Sequence, residues 1–290
     1  MTSRVAGVLD AELIDRIAPG PDDIAHFQEL GWWVSPPVLD DETIAAASRG
    51  AERIYAGEFD TPLPDGRTQV GWRPVDGDVL RKNDQASLLV HDLRAVTFNP
   101  IIGLIASRLA GVGSIRLWHD QLLYKPSLPA GAAPPNVGWH TDRQYWMAAS
   151  STSMLTGWVP FHGVREEHGP VMFVDGSHRW EGVVGDFWNT DLGALSALVA
   201  DRNAHVSHAL VPKGGISFHH CRTIHGSGPN TSGQPRRAIA VHLQDGANHF
   251  AQYQHADGTD ASHGLDELVR RTSDGDPDYA DPQVCPQLWP

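Results

Sequence analysis

Cysteine, lysine and long apolar runs are all scarce in this 290-residue sequence. Two cysteines, Cys221 and Cys285, cannot staple a domain of this size, so the chain reads as a protein of a reducing compartment and not as a disulfide scaffold. The lysines are only Lys82, Lys125 and Lys213, no run of basic residues occurs, and the formal net charge is -13. Those features exclude a nucleic-acid or anionic-membrane footprint. No stretch approaches the ~18 apolar residues of a membrane span, and the opening MTSRVAGVLDAELIDRIAPGPDD carries acids where a signal peptide needs an unbroken apolar run. A cytoplasmic location is therefore expected. What the chain does have is 41% apolar residues, enough to bury roughly three quarters of the unfolded surface in one globule.

No fixed repeat is visible, and residues 1–290 are expected to form a single domain with three parts. Helices dominate residues 21–110. PDDIAHFQEL, residues 21–30, opens on Pro and two acids and stops at Gly31. Trp32 to Val34 look extended. Asp40 can cap a second helix running to about Gly57, with Ile44, Ala47, Ala51 and Ile54 on one face. Residues 57–79 are loop-like, and a third helix is expected over about 87–110. From Ser114 to about residue 248 the pattern turns to β. SIRLWHDQLLYKP, VGWHTDRQYW, SMLTGWVPFHGV, GPVMFVDGSH, GGISFHHC and RRAIAVHLQ give at least five strands punctuated by Gly and Pro. The expected fold is mainly β with flanking helices, a jelly roll or cupin-like double-stranded β-helix. A Pro- and Ala-rich link at 126–138, a Trp-bearing, partly helical insert at 179–208 and an acidic, polar tail at 253–290 complete the layout.

Chemistry concentrates in the β region. His140 and Asp142 are two apart, so in an extended segment both leave the same face and can meet one ion. An H-x-D triplet alone also fits a surface turn. The set grows stronger with His225, which follows GGISFHHC and precedes the turn GSGPN, and with Arg236, eleven residues further on at the start of the last strand. Two imidazoles and one carboxylate leave the opposite face of a metal open, the arrangement of non-haem Fe(II) oxygenases, and a guanidinium can grip a carboxylate two-pronged. Parity along RRAIAVHLQ places Arg236, Ala238, Ala240, His242 and Gln244 on one small, polar face, with Arg237, Ile239, Val241 and Leu243 on an aliphatic one. The first suits a barrel interior and selects Arg236 over Arg237. His219 and His220, with Cys221, could mimic a zinc set, but no second Cys lies nearby. They read instead as one packed residue and one donor to a ligand. His178 reads as turn chemistry, and His119, His162, His168, His205 and His208 stay unassigned.

With these residues in hand, the chain resembles the phytanoyl-CoA dioxygenase family of Fe(II)/2-oxoglutarate oxygenases over about residues 22–248. The pieces that carry the likeness stand in order: AHFQELGWWV, LLYKP, WHTD, a Trp-bearing strand, GSH, HGSGPN and RRAIAVH. The resemblance implies Fe(II) held by His140, Asp142 and His225, and 2-oxoglutarate anchored through its distal carboxylate by Arg236 with help from Ser227. It further implies cosubstrate contacts from Gln121, Trp158 and Lys82. The link 126–138 and the insert 179–208 depart from the family pattern, which puts a phytanoyl thioester substrate in doubt.

O2 and 2-oxoglutarate would then be consumed in oxidising a C–H bond of a small molecule. Because Asp142 fills the carboxylate position, no place is vacated for chloride, and halogenation is disfavoured against hydroxylation, desaturation, epoxidation or cyclisation. Trp72, Trp139, Tyr145, Trp146 and Trp188, with Trp180, are candidate substrate contacts, which favours a largely apolar metabolite and a tailoring step in secondary metabolism. Scarce basic residues weigh against an acyl-CoA. A non-catalytic metal-binding jelly roll and a zinc hydrolase are the rivals from other classes; neither needs Arg236 or 2-oxoglutarate.

Overall fold

Local chemistry sets the N-terminal elements in the computed structural model, which describes residues 9–127, 136–182, 187–189 and 191–290. Asp10 caps helix α1, Ala11–Ile17, by accepting from the Leu13 amide at 2.7 Å. Helix α2, Pro21–Leu30, begins on proline and ends at Gly31, whose φ of 81° only glycine adopts freely. A Cβ there would also strike the side chains of His178 and Thr223. The chain can therefore turn sharply into strand β1, Trp32–Val34. Asp40 caps α3, Asp41–Tyr55, through the Thr43 amide at 2.8 Å, and Ile44, Ala47, Ala51 and Ile54 are buried on its inner face.

The helix expected over 87–110 is broken, and a strand precedes it. Strand β2, Arg81–Asp84, gives way to α4, Ala86–Leu89, α5, Arg94–Thr97, and α6, Pro100–Ala110. Val90 is extended, and Asn99 caps α6 just before Pro100. Proline lacks the N–H and clashes with the preceding turn, so Pro100 can start a helix but not continue one. RKND shows no apolar alternation; β2 exists because it pairs with a neighbour.

The remaining strands are β3, Ile115–Lys125; β4, Val137–His140; β5, Leu155–Pro160; β6, Val171–Val174; β7, Val206–His208; β8, Ser217–His220; β9, His225–Ser227; β10, Arg236–Asp245; and β11, Gln287–Trp289. They form two antiparallel sheets. The larger runs β1-β8-β5-β10-β3-β11, with β2 on the same edge of β3 as β11, and the smaller runs β4-β9-β6-β7. This is the jelly roll that the sequence predicts. The parity reading of β10 also holds, because Ile239, Val241 and Leu243 pack into the main core with Ile102 and Ile105 of α6, while Arg236, Ala240 and His242 face the space between the sheets.

Three segments depart from expectation or lie outside it. Residues 128–135 of the link and 183–186 and 190 of the insert are outside the described residues. The insert carries helix α7, Ser196–Asp201, but its last residues are β7, which completes the smaller sheet against β6. The acidic tail is no loose tail: Leu265, Leu268, Val269, Tyr279, Val284, Cys285 and Leu288 are buried in the main core. Burying a Leu- or Val-sized side chain is worth about 1.5–3 kcal/mol, enough in sum to anchor the segment. Asp, Gly and Pro separate these apolar positions irregularly, so no period betrayed them. Both cysteines are free and buried. No helix among the described residues is long and apolar enough to cross a membrane.

Candidate active site

Strand pairing brings the first two donors together. His140 ends β4 and is the register partner of His225, the first residue of β9, with ring centroids 4.1 Å apart. Asp142 follows on the same side of the chain, in the 3-10 turn Asp142–Tyr145. One ligand atom from each of His140, Asp142 and His225 falls within 4.8 Å of the others, and all three residues are buried.

The unused atoms of these side chains are already engaged, which orients the rest. His140 Nδ1 lies 2.8 Å from the Gly138 carbonyl and His225 Nδ1 2.9 Å from the Thr223 carbonyl. A carbonyl only accepts, so both Nδ1 atoms carry the proton and both Nε2 atoms keep a lone pair for a metal. Burial pushes both rings below the usual histidine range, in His225 helped by the neighbouring His140. Asp142 Oδ2 accepts from the Thr156 hydroxyl at 2.6 Å and from His219 Nε2 at 3.1 Å, leaving Oδ1 facing His225 Nε2 at 3.7 Å. Burial alone would raise the Asp142 carboxyl, but the surrounding imidazoles of His225, His219 and His242 outweigh it and hold it well below the usual carboxylate range. Two lone pairs and one carboxylate oxygen thus converge, a donor set suited to a divalent metal with an open face.

Arg236 lies beyond this cluster at the start of β10. It is buried, its guanidinium sits 5.1 Å from the Trp158 ring, and it donates to the Gly169 carbonyl. Gly169 has a φ of 62°, and a Cβ there would meet the Gly228 and Pro229 carbonyl oxygens at 2.5 Å, so only glycine permits that approach. No acidic side chain among the described residues pairs with Arg236, and burial pushes it down to about 10. Its register partner Lys125 is buried beside it and also held well below its ordinary range, by burial and by Arg236. Lys125 Nζ donates to Ser227 Oγ at 2.6 Å and to the Gly228 carbonyl at 2.5 Å, which fixes the turn that carries Ser227. Arg236 and Lys125 thus meet with no carboxylate partner among the described residues, and a guanidinium can take a carboxylate two-pronged.

A narrow pocket joins Arg236, Ser227, Trp158 and Gln121 to the three donors. It opens into a cavity of about 420 Å³ whose walls include Lys82, His119, Tyr145, Trp146, Phe187 and Trp188. Of the sequence-predicted contacts, Gln121, Trp158, Ser227 and Arg236 therefore share the inner pocket. Lys82 does not; it faces the outer cavity, with Asp84 at 3.5 Å. Tyr145, Trp146 and Trp188 line the outer cavity. Trp72 sits in an adjoining depression with its ring 4.3 Å from Arg81. Trp139 precedes His140 on β4 and so points the other way, donating to the Leu192 carbonyl and packing on Val174 and Ile224. Trp180 lies under Arg202 on a separate face.

Sequence reading gave no role to Thr156, Lys125, His119, Phe187 or His263. The first three are visible only in cross-strand register, which places Thr156 beside His242 and His219, and His119 beside His242. His263, with Ser262, Gly264 and Leu268, closes the cavity from the C-terminal segment.

A family model described as phytanoyl-CoA dioxygenase (PhyH) matches residues 27–238, well over half of the chain. The chain belongs to the phytanoyl-CoA dioxygenase family. The bovine peroxisomal phytanoyl-CoA dioxygenase is 25% identical over 163 residues, covering 54% of this chain and 48% of that protein. The chain thus spans about half the length of that relative. Among solved structures, the non-haem 2-oxoglutarate-dependent epimerase SnoN of nogalamycin biosynthesis superposes with a TM-score of 0.67 at 24% identity, over 96% of this chain and 100% of that one. The 2-oxoglutarate-dependent carbocyclase SnoK gives a TM-score of 0.68 at 23% identity, over 93% and 96% of the two chains. These likenesses establish the fold for this phytanoyl-CoA dioxygenase family member.

Buried neutral histidines near the site predict acid sensitivity. Burial pushes His263 down to about 3, and burial with the nearby His178 and Arg222 pushes His220 down to about 4. Unfolded histidine takes up its proton near 6.5, so between pH 6.5 and about 4 the unfolded chain binds more protons and stability falls with falling pH. A drop in Tm of roughly 5–10 °C across that window is expected, with a shallower slope in His263→Phe. A flat Tm from pH 6.5 to 4 in thermal melts would contradict the burial of these rings.

Proposed function

We propose that this chain is an Fe(II)- and 2-oxoglutarate-dependent oxygenase that hydroxylates an unactivated C–H bond of a small, largely apolar metabolite, as a tailoring step in secondary metabolism. The observation that carries this reading is one continuous pocket with His140, Asp142 and His225 at one end and, at the other, a buried guanidinium that has no acidic partner among the described residues. His140, Asp142 and His225 would hold the iron, and Arg236, with Ser227 braced by Lys125, would take the distal carboxylate of 2-oxoglutarate. When bound, iron with 2-oxoglutarate and O2 supplies the oxidising power to break a C–H bond, the cosubstrate leaving as succinate and CO2. The protein's part is positioning. Thr156 and His219 hold Asp142 Oδ2 and so turn Oδ1 toward the metal position, Trp158 and Gln121 would wall the cosubstrate channel, and Trp146 lines the outer cavity.

The solved SnoN complex with Fe3+, 2-oxoglutarate and nogalamycin RO supports both the cofactor pair and a natural-product substrate. That the neighbours include an epimerase and a carbocyclase keeps cyclisation, desaturation and epoxidation as related outcomes of one C–H cleavage. An acyl-CoA fits less well, since the basic groups at the cavity are already paired: Arg67 with Asp65 at 2.5 Å and Lys82 with Asp84 at 3.5 Å. A zinc hydrolase would leave Arg236 with no task.

Anaerobic addition of Fe(II) and 2-oxoglutarate is expected to give a visible charge-transfer band, and a metabolite panel in air is expected to contain compounds that stimulate succinate release. Absence of the band would remove the cofactor assignment, and a band without stimulated succinate for any panel member would remove the metabolite class.

A further inference from the structure

Four side chains stand in one row across the larger sheet, each the register partner of the next: His219 on β8, Thr156 on β5, His242 on β10 and His119 on β3. The middle of this row has a fixed hydrogen-bond polarity. Thr156 has a single hydroxyl proton, and the ionised Asp142 carboxylate can only accept, so Thr156 donates to Asp142 Oδ2 at 2.6 Å. His242 Nδ1, 2.7 Å from the same hydroxyl oxygen, must then be the donor. In the neutral ring this leaves His242 Nε2 as an acceptor.

That acceptor has nothing to receive. His242 Nε2 and His119 Nε2 are both buried without a hydrogen-bond partner among the described residues. The two rings lie 4.3 Å apart, both line the outer cavity, and His242 also lines the inner pocket, so this wall stands where the two spaces meet. Trp146 meets both imidazoles edge-on at 5.9 and 5.0 Å, and His263 packs 4.8 Å from His119. The two rings are thus packed against Trp146 and His263, with one nitrogen of each left unsatisfied among the described residues. A buried polar atom left without a partner costs about 1–3 kcal/mol, and a ligand that supplies the missing partner recovers it.

We propose that His242 Nε2 accepts a hydrogen bond from a hydroxyl of the substrate, with His119 Nε2 as the second polar contact of that group. This rests on the oxygenase reading above and deepens it. The substrate is then an alcohol-bearing molecule with an apolar or aromatic body along Trp146 and Trp188, not a plain hydrocarbon or acyl chain. The hydroxyl is anchored one hydrogen-bonded residue, Thr156, from the metal-facing carboxylate, so the carbons next to it are those brought to the reacting face.

The probes are 1-tetralol and tetralin, bicyclic molecules that differ by one hydroxyl. Calorimetric titration of the full chain loaded anaerobically with Fe(II) and 2-oxoglutarate should show 1-tetralol binding at least about tenfold tighter, the effect of one satisfied buried hydrogen bond. His242→Phe should bind both probes alike, and His242→Gln, which keeps an acceptor, should restore part of the preference. His119→Phe touches neither Asp142 nor Thr156 and should reduce the preference even where His242→Phe fails to fold. No preference in the parent, including failure of both probes to bind, overturns the proposal, as does a preference that survives in the folded variants. The charge-transfer band, read in the same samples, reports on the iron and cosubstrate separately, so loss of the band with an intact preference would count against the oxygenase reading alone.

Discussion

Asp142→Ala is expected to abolish iron-dependent turnover while the chain still folds. The residue supplies the sole carboxylate oxygen among the three converging donors, and its second oxygen accepts from Thr156 and His219. Losing an outer partner of a metal ligand typically costs roughly 10–100-fold in affinity or activity. Losing the ligand itself should exceed that, and His140→Ala should do the same. The variant also leaves two buried donors unanswered, so a lowered Tm is expected as well, by an amount set by about 1–3 kcal/mol for each orphaned group. Calorimetric titration with Fe(II), or with Co(II) as an air-stable reporter, together with succinate release, checks the result. Parent-like metal affinity in Asp142→Ala would mean that the ion sits elsewhere.

Arg236→Leu is expected to raise the KM for 2-oxoglutarate steeply while changing kcat at saturation far less. The guanidinium is buried, lacks an acidic partner among the described residues and closes the far end of the inner pocket. Removing one side of a buried, hydrogen-bonded charge pair costs about 2–5 kcal/mol, which corresponds to roughly 30-fold to a few thousand-fold in affinity. Arg236→Lys should recover only part of it, because an ammonium cannot present the two-pronged fork. Steady-state kinetics at varied 2-oxoglutarate decide the matter. An unchanged KM would move the carboxylate anchor to another cation, and Lys125, one hydrogen bond behind Ser227, would be the next to test.

Legibility differed by kind of information. Elements whose cause is local were readable, such as α2 between Pro21 and Gly31, α3 from its Asp40 cap, and the two-sided strand β10. The convergence of His140, Asp142 and His225 was legible because H-x-D spacing and a His after a strand are one-dimensional signals. Partners chosen by three-dimensional pairing were not. Strand β2 has no pattern of its own, the apolar run over 87–110 hides the restart of α6 at Pro100, and Thr156 becomes a site residue only because β5 lies between β8 and β10. Trp139 illustrates the reverse error. An aromatic next to a ligand in sequence is, on a strand, the residue certain to face away from it.

The matched family region ends at residue 238, yet His242, Ser262, His263, Gly264 and Leu268 all lie beyond that point and still form part of the cavity wall. The cavity is thus walled partly by Trp146 and Trp188 inside the matched region and partly by a C-terminal stretch outside it. Substitutions at Ser262 or Leu268 would therefore reshape that wall from outside the matched region without touching His140, Asp142, His225 or Arg236.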